Sequence, residues 1–598
     1  LDVAGLDKNV LNLVGAKLGM DFGNTSIALA NEITLAKAGK SIAAAGQFTA
    51  NNFGVTQQGT TTPTLDLRLA YQVAVDLTAQ AATVSAFNFT GTRQQQPLLS
   101  AVLSKPLAVS WSTNATNATS AVGDSELALN VTGLNLADWR PFLGKVAPDG
   151  RVDVAVQVAA QNMGKQLGVN LTANVAGLNV LAGTNRFNQL GAGVTLKAGV
   201  TDFKRVKLEL LDLKATQAGQ SLANVAAAGT LDAGTLSADL GVSLAASLPR
   251  AASLVSVPGV KVAGGQVSFA GRVAQQIAIA NKQTNTTQTV AGKLNLTDFN
   301  GGYEQYAFDR LTTAVDVDAD FANGTQAVVR KLAVALSHAG QPAGTVDATV
   351  NFNVKQTAGS ASVRVTGLSE NLLRPVLAPS LGNMKLQSAN ISLTLDANLH
   401  PAADSPVKAD VQIARLHIVD PAGKVPNLPL DLRVVTDALV RQPATNQFLI
   451  TLKKLAGALN ANGRPGGSFD IAGNFDSKAM AGAATVKLVD FNEALLAPVL
   501  ASALGDKKLV SVTINANANA KFAAKGESAL AADLSVARFL MTDPGNTLPT
   551  VPMDLRVAVD GSFAQPATNH INASLRKLTG TIAQGAANGG NFDITGNF

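Results

Sequence analysis

The chain has 598 residues, a net charge of +6 and only 15% charged residues. Its Lys and Arg are dispersed among Asp and Glu, with no basic run of the kind that grips nucleic acid, so no nucleic-acid partner is expected. It has no cysteine, which excludes disulfides, thiolate-bound metal and thiol catalysis.

In chain order the sequence returns to the same pattern about every 120 residues. Five units fit: 1–132, 133–247, 248–367, 368–490 and a truncated 491–598. Each opens near a short apolar segment that ends in glycine. These segments are Leu6 to Gly19, Leu136 to Gly144, Ala251 to Gly259, Leu372 to Gly382 and Leu495 to Gly505. Such a glycine predicts a helix end in the left-handed conformation, and proline inside several segments predicts only one to three turns. Fixed-offset motifs follow. Leu430-Asp431-Leu432-Arg433 returns 123 positions later as Met553-Asp554-Leu555-Arg556, and an earlier copy is Leu65-Asp66-Leu67-Arg68. Arg330-Lys331-Leu332, Lys453-Lys454-Leu455 and Arg576-Lys577-Leu578 form a second series, and Phe469 to Phe475 and Phe592 to Phe598 form a third pair. A constant offset across several motifs marks one structural unit copied into an array, with function spread along a surface.

After each glycine the residues alternate. Val152, Val154 and Val156 do so in the second unit, and Val267 and Phe269 in the third. Ile391, Leu393 and Leu395 follow in the fourth unit, and Val512 and Ile514 in the fifth. A period of two places every apolar side chain on one face of a strand, as in antiparallel sheets with one dry face. The fourth unit predicts six strands, near 386–400, 406–419, 429–437, 447–461, 467–475 and 481–490. Turns such as Asp420-Pro421-Ala422-Gly423 separate them. The expected fold is mostly β: tandem antiparallel meander repeats forming an elongated curled sheet or groove, with one short helix per repeat.

Catalytic signals are lacking. The four histidines, His338, His400, His417 and His570, show no metal-ligand spacing, although His400 and His417 could face each other across a hairpin. No nucleophile elbow or phosphate loop is present. The sequence therefore predicts no enzyme, no metal and no cofactor. The pairs Asp66/Arg68, Asp431/Arg433 and Asp554/Arg556 are expected to be structural, cross-strand ion pairs that fix register. Sequons such as Asn88-Phe89-Thr90 and Asn114-Ala115-Thr116 are expected by chance in a chain rich in Asn and Thr. No apolar run reaches the length of a membrane span. The chain is expected to be an internal portion of a longer protein.

The apolar face needs cover. A second sheet would close it, which suits a scaffold, surface fibre or adhesin. Alternatively it lines a trough completed by acyl chains. Gly133 to Leu143 (GLNLADWRPFL), Gly39 to Phe48 and its spacing match Gly466 to Phe475 resemble the AsmA-like, or TamB-like, family of Gram-negative envelope proteins. That resemblance implies a repeating β-groove in the periplasm, anchored by a segment outside this chain. The groove would conduct phospholipid between the inner and outer membranes, with membrane or envelope proteins at its ends. Its candidate lining is Val152, Val154, Val156, Val267, Phe269, Ile391, Leu393, Leu395, Val512 and Ile514, with phospholipid acyl chains as partners and headgroups left in water.

Overall fold

The structure is a computed structural model. It describes the chain except residues 58, 112–120, 143–147, 163, 183–184, 255–256, 281–282, 401–402, 423–426, 445, 525, 568–569 and 598. Gly144, the Asn114 sequon and Gly423 therefore lie outside the described residues. Among the described residues the chain is 75% strand and 8% helix, a long antiparallel meander of 30 strands that is not closed into a barrel. The mostly-β expectation holds. The chain divides into two compact units: Leu1–Pro258 with Gly264–Leu294, and Gly259–Ala263 with Asn295–Phe598.

Within each unit successive strands pair with their neighbours in sequence. In the second, Lys385–Leu399, Ser405–Val419, Leu430–Ala444, Gln447–Ala461, Arg464–Asp476 and Ala481–Asn492 occupy the six expected positions. The third strand runs seven residues past its expected end at 437, because Ala438, Leu439 and Val440 still pair with Leu452, Thr451 and Ile450. Short helical segments interrupt the meander at Lys8–Gly15, Leu136–Phe142, Leu248–Leu254, Glu370–Leu381 and Glu493–Leu504. A 3-10 turn, Ala16–Leu18, continues the first, and Gly19 closes it in the left-handed region, as expected. Gly382 and Gly505 instead combine φ near +60° with ψ near −120°, a region open only to glycine.

Two kinds of bulge punctuate the strands. The first inserts one extra residue at Ser85, Glu209, Arg330, Lys453 and Arg576, as the register shows. This is the local meaning of the Arg-Lys-Leu motif: Arg330 and Lys331 together oppose Asp318, and Arg576 and Lys577 oppose Asp560. Arg330 accordingly clamps Asp318 and Asp320, while Arg576 Nη2 donates to Asp560 at 2.5 Å. The second kind holds its extra residue at positive φ and is described with the site.

The polar face is laced by such pairs. Arg433 donates from Nε and Nη2 to Asp410 at 3.1 and 2.7 Å, and Arg272 binds Asp239 in the same way. These hydrogen bonds, with the guanidinium charge, hold the Asp410 carboxyl below the usual carboxylate range, and desolvation opposes them only in part. A depressed folded pKa contributes stability above the unfolded value of about 3.9, and that stability is lost as pH falls through the folded pKa. Arg433→Gln should therefore lower the thermal midpoint slightly at pH 7, with the difference from the native chain shrinking as pH falls below about 3.9 and through the depressed Asp410 pKa. Thermal scans of both chains across that range check this; a gap unchanged in acid would place the effect elsewhere.

Candidate functional site

The register puts apolar residues opposite apolar residues over many consecutive strands. In the first unit one row runs Leu29, Phe48, Leu69, Phe89, Ala101, Leu129 and on through Val156, Leu171, Leu196, Leu211, Ala227 and Val242 to Gly271. The adjacent row contains Val154, Val225, Leu244 and Phe269. A third joins Val152 to Val267 through Val175, Ala192, Ala215, Ala223 and Ala246.

The second unit repeats the arrangement. One row runs from Val315 through Val334, Val346, Val365, Leu393, Val411, Val434, Gly457, Phe469 and Leu488, then through Ala516, Leu534, Val557 and Gly580 to Phe592. No member is polar. The next row includes Val363, Leu395, Leu455, Ile471, Val486 and Ile594, with Thr436 its one polar member. On the other side Ile391 pairs with Ile413, and Ile514 with Val536.

These rows are left largely uncovered. Leu534, Phe592 and Ile594 are 38%, 38% and 49% exposed, and the fully buried apolar set is small and rich in alanine. Among the described residues the only sheet apart from the long meander is three short strands, Met20–Asp21, Thr56–Gln57 and Thr60–Thr61. Helix Glu370–Leu381 touches five strands, from Tyr306–Ala322 to Lys385–Leu399. Twelve residues at about 1.5 Å span roughly 18 Å, close to four strand spacings of about 4.8 Å. The helix thus lies across the strands and covers part of the sheet, leaving the rest open.

Nine of the ten candidate lining residues are half-buried on these rows. Val512 is the exception. It is 3% exposed, and its amide donates to Glu493 Oε2 at 3.3 Å, so it belongs to the packing under helix Glu493–Leu504. The sequence pattern missed the aromatic rungs. A Cβ on Gly457 would stand 2.4 Å from the Phe469 ring, and one on Gly580 2.2 Å from the Phe592 ring. Each ring therefore lies over a bare backbone on the neighbouring strand, and the pair recurs after 123 residues. A glycine and a phenylalanine sharing that offset were the signal.

The proposed Asp/Arg pairs have a different chemistry. Asp66, Asp431 and Asp554 each accept from a backbone amide of the preceding strand, those of Asn52, Arg415 and Arg538, at 2.8, 2.7 and 2.7 Å. All three donors have φ near +50°. Each stands at a register shift, where the bulge withdraws an amide from the ladder. The carboxylate supplies the lost acceptor and pins the bulge in place. Of the arginines, Arg433 makes a cross-strand ion pair, with Asp410 rather than Asp431. Among the described residues no ion pair involves Arg68 or Arg556. Equivalent bulges use other acceptors: Asn300 for Arg310, Asn515 for Asp490 and Asp153 for Gly133. The last and Asp490 stand three residues before a helical segment, so these bulges turn the strand into the helix.

Among the described residues no group of His, Asp and Glu could hold a metal ion. His417 does not face His400: it pairs with Ser388 and bonds Asn427 at 2.7 Å, whereas His400 sits at the far end of the hairpin against Ser405. Among the described residues no helix is long and apolar enough to cross a membrane. Comparison with protein-family models, curated proteins and solved structures finds no match.

Asp431→Ala leaves the Arg415 amide to water and should cost about 0.5–1 kcal/mol, the net worth of an exposed hydrogen bond. Asp431→Asn should restore most of it, since asparagine fills the same role at Asn300 and Asn515. Hydrogen exchange at Arg415 reads this directly. Equal exchange in all three chains would show that the contact carries no load.

Proposed function

We propose that this chain is a non-enzymatic lipid-binding protein that lays acyl chains along its open apolar rows and conducts them from strand to strand. The observation that carries this reading is the continuity of those rows: fifteen successive apolar positions from Val315 to Phe592, with large side chains still accessible. Each methylene moved from water onto such a surface gains about 0.8 kcal/mol, so about ten methylenes supply roughly 8 kcal/mol. The sites along a row are nearly alike, and a chain can shift by one strand at little cost. Alanine and glycine at Ala516, Gly457 and Gly580 keep the surface shallow, so no one position holds the lipid fast. Headgroups stay at the margins, in water.

The resemblance to AsmA-like proteins supports the same assignment and adds a place, the periplasm, with phospholipid as cargo. Membrane or envelope proteins would then meet the two ends of the array. The alternative, a structural scaffold with a closed apolar core, is disfavoured by the exposure of Leu534, Phe592 and Ile594 and by the small buried set.

The test is lipid extraction. The full chain purified under mild conditions should release several phospholipids per molecule on mass spectrometry, and Leu393→Asp with Ile514→Asp should lose most of them. Cooperative unfolding of that variant should stay near normal, because neighbouring strands carry most of the local stability. A lipid-free native chain, or a double variant that keeps its lipid, would sink the proposal.

A further inference from the structure

We propose that the pocket between helix Glu370–Leu381 and the start of strand Lys385–Leu399 binds the anionic head of an amphiphile, with the first part of its tail on the pocket floor. The pocket has a volume of about 600 Å³, and its floor is apolar, formed by Leu381, Met384, Leu386 and Val419. Ala378, Gly382 and Gln387 also line it, together with two cations, Arg374 and Lys385, and among the described residues no carboxylate is part of it. That size lies within the usual range for small-molecule sites of about 300–1,000 Å³.

Arg374 is already oriented. Its Nε donates to the Leu386 carbonyl at 2.9 Å and its Nη2 to the Gln387 carbonyl at 2.7 Å. Those bonds fix the guanidinium plane and leave Nη1 to donate to an anion. Lys385, across the sheet from Val419, adds a second positive charge at the same mouth. A cationic rim above an apolar floor matches a phosphate or carboxylate joined to an acyl tail. The next repeat lacks the site: 123 residues on, Ala497 replaces Arg374 and Thr542 replaces Val419. The pocket is therefore not repeated in the following unit, and it lies at the start of the strand that carries Ile391, Leu393 and Leu395. It deepens the lipid reading and rests on it: it would give preference for anionic lipid where the apolar rows themselves read only tails.

Titration calorimetry on the full chain tests this with three probes: dodecyl phosphate, inorganic phosphate and dodecyl maltoside. Dodecyl phosphate should bind best, and Arg374→Gln with Lys385→Gln should weaken it about tenfold, as expected for losing charge-assisted contacts. Because Arg374 also tethers the strand, Lys385→Gln alone is the folding-safe variant; it should weaken binding with an unchanged circular dichroism spectrum. Equal affinity for inorganic phosphate would show a free-anion site, and equal affinity for the maltoside a merely apolar one. Either result, or undiminished binding in both variants, overturns the pocket. Binding that follows Arg374 and Lys385 in a chain that carries no extractable phospholipid would sustain the pocket and remove the conduit.

Discussion

Everything in this protein depends on cross-strand register. A strand buries or exposes its side chains in alternation, so a slip of one residue would turn every apolar side chain to the wet face. The meander holds register over many strands, and the apolar rows exist only because it does. Two devices secure it. Bulges insert a residue at Ser85, Glu209, Arg330, Lys453 and Arg576, and the carboxylates of Asp66, Asp431 and Asp554 pin a second set of bulges through the amides of Asn52, Arg415 and Arg538. An extra residue at a fixed place in each repeat re-phases the strand, and the side-chain acceptor makes that phase the favoured one.

The same economy explains the unusual core. Few apolar residues are fully buried, and they gather at alanines and at the helix contacts, as with Ala389, Leu495 and Val512. Stability is local: long ladders of backbone hydrogen bonds, the helices laid across strand ends, and polar-face pairs such as Arg433 with Asp410. A sheet stabilised in this way can leave its apolar face unsatisfied. An exposed apolar surface of this extent is what a soluble chain ordinarily avoids, and it calls for a partner that is itself apolar. In the proposed reading acyl chains would meet that need without a shape-specific pocket, and the Phe469 and Phe592 rings, reaching over glycine, keep the rows continuous where a backbone would otherwise be bare.

Much of this was legible in the sequence. The period, the alternation and the turn residues placed the strands of 368–490 to within a residue or two at most ends, because local sterics and a period of two leave few alternatives. The ending of Leu430–Ala444 is not legible because Ala438, Leu439 and Val440 break the alternation after Asp437, while the ladder continues to Arg441 opposite Leu449. The roles of Asp66, Asp431 and Asp554 were hidden for a different reason. A carboxylate two positions from an arginine suggests an ion pair, but its true partner is a backbone amide on another strand, which no side-chain pattern reports.

The sequence by itself determined the class of fold, the repeat and the apolar identity of one face, since these follow from periodicity alone. Only the tertiary structure decided which strands stand opposite which, and so whether Leu393 meets Val365 and Val411 in an unbroken row. It also decided that Val512 lies beneath a helix and that, among the described residues, the only sheet apart from the meander is three short strands, and it brought Arg374 and Lys385 to one pocket. The physical reason is common to all of these. Alternation fixes the face of a residue, whereas its opposite number and its cover are set by bulges, helix placement and long-range pairing, whose determinants lie on other strands.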